Sequence, residues 1–208
     1  MLTDLLALAD ARLPIGGHVH SGGIEEAITS GIVHDLPTVE AFLARRIRTT
    51  GLTTASITAA VADGLDPGRA DAETDARTPS AAARDASRAQ GRGFARLARR
   101  AWPAHDWTSI GRRPHLPVIT GTVARLCHLD PHQAALALIY TTMTSSATAA
   151  QRLLALDPAD VTIITFGLSG LCDETARQAT TGLHALSDPL LDVLAQRHIQ
   201  REMPLFVS

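Results

Sequence analysis

The sequence predicts an all-α fold, a single-domain, bundle-like array of about eight to ten helices. Three observations carry that prediction. Apolar residues recur at three- and four-residue spacing, and no stretch alternates apolar and polar with the period of a strand. Asp-Pro stands at 130–131, 157–158 and 188–189, each time just ahead of such a segment. That pairing puts a capping acid before the one helical position that tolerates proline. Aromatic residues make up only 3% of the chain, and a core of Leu, Ala, Val and Ile suits helix packing better than a sandwich of sheets.

Each element follows from local signals. Thr3 or Asp4 caps a first helix predicted to run to about Arg12, where Leu13-Pro14 stops it. A glycine-rich corner follows, Gly16-Gly17-His18-Val19-His20-Ser21-Gly22-Gly23, with Ser21 placed as a loose N-cap for a short helix ending at Gly31. Asp35-Leu36-Pro37-Thr38 opens the next helix, with Val39, Phe42, Leu43 and Ile47 on one face. Gly51 breaks or kinks it, and 52–62 continues it. Residues 65–80, with Asp66-Pro67-Gly68 and several acids, read as a linker holding at most one short helix. Ser80 caps a long helix over 81–101. A loop leads to Pro117, and 118–127 is apolar enough for a buried helix. The Asp-Pro pairs then start helices over 131–156, 159–183 (kinked at Gly167 or Gly170) and 189–201. The tail, 203–208, is apolar.

The 208 residues, 45% of them hydrophobic, are enough to bury a core without disulfides. Cys127 and Cys172 read as small buried hydrophobes in a reducing cytoplasm. No apolar run approaches the roughly 20 residues of a membrane helix, and the start of the chain lacks the pattern of a signal peptide. The net charge of −2 gives no pull toward nucleic acid or an anionic membrane.

Four features are candidates for chemistry. His18 and His20 offer two imidazoles to a metal such as nickel or zinc, against the alternative of surface histidines in a glycine-rich turn. No G-x-x-x-x-G-K-[ST] occurs, and the chain contains no lysine, so the glycines form no P-loop. Arg84, Arg88, Arg92, Arg96 and Arg100 recur every four residues and make one positive stripe. Such a stripe faces the chain's own acidic linker, a partner protein or nucleic acid. Glu25 and Glu26 are adjacent and read as ordinary solvated acids. No local signature places a Ser/His/Asp or Cys/His set, so the residues state no enzyme.

In order along the chain, these residues resemble the urease accessory protein UreF family. The likeness begins with Leu5-Leu6-Ala7-Leu8-Ala9-Asp10, Leu13-Pro14-Ile15-Gly16 and Ser21, Gly23-Ile24-Glu25. It continues through Glu40-Ala41-Phe42-Leu43, then Arg84, Ser87, Gln90 and Gly91, then His115, Pro117 and Gly121. Ser146, Ala149, Ala150, Arg152-Leu153, Pro189, Asp192, Arg197-His198 and Leu205-Phe206 complete it. Two departures stand out. His18-Val19-His20-Ser21 replaces an aromatic-rich F-S-Y-S, and Asp157-Pro158 replaces a Gly-Gln.

The resemblance implies an all-α, dimeric, cytoplasmic chaperone with no catalytic residues and no permanently bound cofactor. It would join UreD (also called UreH) and the GTPase UreG on apo-urease, with nickel passing in transit. Gly16, His20, Ser21, Gly23, Glu25, Arg84, Arg88, Arg92, Arg197, Leu205 and Phe206 are then the expected partner-binding residues, and His18 and His20 the metal candidates. The alternatives are a small histidine-dependent nickel metallochaperone and an all-α DNA-binding regulator.

Overall fold

A computed structural model of the chain describes residues 2–10, 12–15, 20–186, 188–200 and 205–206. Among the described residues there are helices and turns but no strand. The helices are α1 (Leu2–Leu8), α2 (Ile24–Thr29), α3 (Leu36–Arg46), α4 (Leu52–Ala62), α5 (Pro67–Arg77) and α6 (Ala81–Ala101). They continue as α7 (Leu116–Leu126), α8 (Pro131–Leu153), α9 (Pro158–Gly167), α10 (Ser169–Ala179) and α11 (Pro189–His198). A π-helical turn, Ile47–Gly51, joins α3 to α4 end to end, so the eleven α-helices make ten separate rods.

The capping acids from Asp35 onward do what their positions predict, whereas Thr3 and Asp4 lie inside α1, which begins at Leu2, and so do not cap it. Asp35 accepts the Thr38 N–H at 2.9 Å while Thr38 Oγ1 takes the Asp35 N–H at 3.0 Å, a reciprocal capping box. Asp130, Asp157 and Asp188 each accept a backbone N–H of the helix they precede. Ser80 does the same for α6.

Four boundaries differ from the prediction. The first helix ends at Leu8, because the Asp10 carboxylate takes the N–H and guanidinium of Arg12 into a tight turn. Residues 67–77 of the predicted linker form α5, whose Ala70 and Thr74 are buried. Helix α8 stops at Leu153, and the left-handed φ of 51° at Ala155 prevents it from continuing. The helix expected over 159–183 divides at Leu168 into α9 and α10.

The core lies around α4. Nine of its eleven residues are buried, including Leu52, Ala55, Ile57, Ala59 and Val61. A helix buried on nearly every side belongs at the centre of an array. One apolar cluster joins it to Ile24, Phe42, Leu43, Met143, Leu191, Leu194 and Phe206. A second joins it to Phe94, Ala98, Val118, Ile119 and Leu138. Helix α7 meets α4 so closely that a Cβ on Gly121 would lie 2.5 Å from the Thr58 carbonyl oxygen. Cys127 and Cys172 are free thiols, and burial pushes the Cys172 thiol up to about 11, which leaves it unreactive.

Candidate functional site

The glycine-rich corner leads into α2 through two left-handed residues, Gly22 at φ 65° and Gly23 at φ 90°. Gly23 itself is the N-cap, and no side chain caps the helix. Ser21 is therefore not the cap that the sequence suggests. It is fully buried, its hydroxyl has no partner among the described residues, and its carbonyl accepts the Ser146 hydroxyl at 3.1 Å.

That entry angle turns Glu25 inward. Glu25 is 3% exposed, which overturns its reading as a solvated acid. One carboxylate oxygen accepts the Leu205 N–H at 2.8 Å and the other accepts the Phe206 N–H at 3.1 Å. His198, in the last turn of α11, is as deeply buried, and its Nε2 lies 3.1 Å from the Phe206 carbonyl. A carbonyl can only accept, so Nε2 carries the proton. Phe206 sits in the core with Ile24, Leu191 and Leu194, while Leu205 is 79% exposed. Together these residues clamp the end of the chain to its first 30 residues. Arg197 stands beside the clamp on the exposed side of α11.

A second group forms where α5, α6 and the start of α7 meet. Arg88 donates from Nη2 to Asp71 at 2.9 Å and to Asp75 at 2.6 Å, and from Nη1 to the Arg113 carbonyl. His115, with no exposed surface, donates from Nε2 to Asp75 at 2.9 Å and takes the Ser87 hydroxyl on Nδ1 at 3.0 Å. Gly91 allows the meeting, since a Cβ there would lie 2.0 Å from the Pro114 carbonyl oxygen.

Burial pushes the His115 imidazole below its ordinary value, with the Asp75 bond pulling the other way. Asp75 is held below the usual carboxylate value, because bonds from His115 and Arg88 outweigh the cost of its burial. Ligand atoms of Asp71, Asp75 and His115 lie within 4.8 Å of one another, close enough to hold an ion. Arg88 already supplies the positive charge there, so the group reads as a structural network.

The predicted stripe is thus divided. Arg84 donates to the Thr78 and Pro79 carbonyls beyond the end of α5, and Arg88 pairs with the acidic segment. Arg92, Arg96 and Arg100 are exposed and free of ion pairs among the described residues. His20 is buried at 8% exposure, beside the corner it belongs to. Gly16 and His18 lie outside the described residues, so the proposed histidine pair is not placed. Reading the sequence missed His198 as the tail's anchor and missed the Asp71–Asp75–His115 network. One signal for the network was present: Asp71 and Asp75 stand four apart on α5, as Arg84 and Arg88 do on α6.

Residues 33–169 match the family model described as UreF. The chain is 67% identical over 208 residues to a urease accessory protein UreF of Mycobacterium sp. (strain JLS), covering 100% of this chain and 99% of the relative. It is 64% identical, with the same coverage, to proteins of that name from Mycobacterium marinum (strain ATCC BAA-535 / M) and Mycobacterium tuberculosis (strain ATCC 25177 / H37Ra).

Proposed function

The chain belongs to the UreF family of urease accessory proteins, and from that premise we propose that it is a non-catalytic scaffold in urease maturation. In this reading it bridges UreD and the GTPase UreG on apo-urease, and GTP hydrolysis is coupled to insertion of nickel. The protein acts as a homodimer in the cytoplasm. Nickel is cargo, and no resident cofactor is required.

The observation that carries the proposal is the clamped tail. Phe206 anchors the chain end in the core, and Glu25 fixes the backbone at two points, so Leu205 projects into solvent with little freedom left to lose. An apolar side chain held this way binds a partner at a smaller entropic cost than a free tail would. The exposed arginines Arg92, Arg96 and Arg100 on α6 add a charged surface suited to acidic partners.

The test is genetic and biochemical. Deleting the gene should abolish urease activity while urease abundance stays unchanged, and the protein should co-purify with UreD and UreG. Normal activity in the deletion strain would refute the proposal. Removing 204–208 should weaken UreD binding, and unchanged affinity would remove the tail from the interface. Among the described residues no helix is long and apolar enough to cross a membrane.

A further inference from the structure

Arg45 and Arg46 are neighbours at the end of α3 with opposite fates. Arg45 pairs side-on with Asp188, from Nε at 2.6 Å and Nη2 at 2.7 Å to the two carboxylate oxygens. Arg46 points the other way, into the protein. Its one hydrogen bond among the described residues runs from Nη1 to the Gly22 carbonyl at 2.5 Å. Its Nε is buried without a hydrogen-bond partner among the described residues, and burial lowers its pKa to about 10. Gly22 makes the room, since a Cβ there would lie 2.6 Å from the guanidinium carbon.

The guanidinium opens onto a cavity of about 210 Å³. Three of the other charged side chains around that cavity are paired, and Asp192 has no cation against it among the described residues. Asp188 has Arg45, Asp10 has Arg12, and Arg77 has Glu73. Asp192 accepts the backbone N–H of Ser80, and burial raises its pKa. Arg46 is the arginine of that wall with no anion against it among the described residues. An unpaired buried cation is costly, and the usual remedy is a hydrogen-bonded counter-ion.

The rest of the wall limits what the counter-ion is. Thr54, Thr141 and Thr142 each give their hydroxyl hydrogen to a helix carbonyl, at 2.8, 2.9 and 2.9 Å. They present oxygen lone pairs, not donors, to the cavity. Leu138, Leu191 and Phe94 fill much of the remainder with apolar surface. The Arg46 guanidinium beside that apolar surface suits a group that is planar, carries two oxygens and has a small apolar body.

We propose that this cavity binds a small carboxylate, which accepts from Nη2 of Arg46, the guanidinium nitrogen left open by the Gly22 bond at Nη1 and the packing around Nε. The carboxylate comes either from a free small molecule or from an acidic side chain of a bound peptide segment.

Two probes separate these sources: sodium acetate, and the capped peptide acetyl-Gly-Glu-Gly-amide. Each is titrated into the full chain, with the Arg46 Nε–Hε signal followed by ¹⁵N–¹H NMR and acetamide as the uncharged control. A saturable shift of that signal with either probe, absent with acetamide, is the expected result. Acetate binding identifies a free ligand, and binding of the peptide alone identifies a chain-borne carboxylate. Arg46→Gln should weaken binding at least about tenfold, with Arg46→Lys intermediate, because lysine keeps the charge and loses Nη2. Thr142→Met, which fills the cavity and leaves Arg46 in place, should also abolish binding and covers the case in which Arg46→Gln fails to fold. Failure of both probes to saturate by about 100 mM, or equal binding by wild type and Thr142→Met, would overturn the proposal.

Discussion

Glu25 and Phe206 lie 181 positions apart, and the carboxylate of the first accepts the backbone N–H of the second at 3.1 Å. The same carboxylate holds the Leu205 N–H. Glu25→Ala leaves the backbone donors of Leu205 and Phe206 without their acceptor. We expect a loss of about 2–4 kcal/mol, read as a lower urea midpoint. Glu25→Gln keeps one acceptor and should lose about half as much. Faster proteolytic trimming of the tail should accompany both. An Ala variant as stable as wild type would show that the clamp contributes nothing.

Acid should destabilise the protein in two stages. His115 has a folded pKa below its ordinary 6.5, so the unfolded chain takes up a proton that the folded chain refuses. Its contribution is complete above pH 6.5 and is lost as pH falls through the lower folded value. Asp75 and Asp188 lie below the ordinary 3.8, Asp188 chiefly through its bond from Arg45. Their contribution is present above that value and is lost at still lower pH. Urea midpoints from pH 7 down to about 3 should fall in that order, and His115→Asn should remove the first stage. A wild-type midpoint that stays flat from pH 7 to 5 contradicts the assignment.

Two arginines of one stripe should behave differently. Arg88 joins both Asp71 and Asp75 and is 22% exposed. Arg88→Gln should cost about 1–2 kcal/mol, since two partly buried carboxylates lose their counter-charge. Arg92 is exposed and unpaired, so Arg92→Gln should stay within about 0.5 kcal/mol. Equal effects in thermal unfolding would mean that the network around His115 carries no stability.

Gly121→Ala should be disproportionately harmful for one added methyl group. The nearest atom it meets is the Thr58 carbonyl oxygen at 2.5 Å, part of a helix backbone that cannot rotate aside. Separating α7 from α4 should cost about 2–3 kcal/mol. Calorimetry on the variant checks this, and a melting temperature unchanged from wild type would refute it.

What could be read in the sequence was local. Asp35 and Thr38, Ser80, and the acids of the Asp-Pro pairs announce their helices because cap and helix lie within three residues. Asp66-Pro67 gives the same signal at α5, yet Gly68 and the run of acids read as a turn and a linker. Those acids, one of the three partners the arginine spacing left open for its stripe, gain a counter-charge from Arg88 on α6. Glu25 illustrates the general limit. Its neighbours show an acid on a short helix, and nothing near it reveals two donors arriving from the far end of the chain. Arg46 is harder still, because its neighbour Arg45 has the same side chain and a surface role. Only packing decides which of the two turns inward.

The π-helical turn between α3 and α4 has a consequence for how this segment can change length. A π turn holds one residue more than the α ladder needs. Deleting that residue would let the ladder close as an ordinary helix, whereas a deletion within α3 or α4 themselves would rotate α4 by about 100° relative to α3. Apolar burial would suffer little, since α4 is buried on almost every side. Its hydroxyls would suffer more. Thr53 is matched to the Leu186 carbonyl, Ser56 to the His184 N–H and Thr58 to the Pro117 carbonyl, each at a fixed register. The turn is therefore a place along α3–α4 where a residue can be lost without turning those hydroxyls away from their partners.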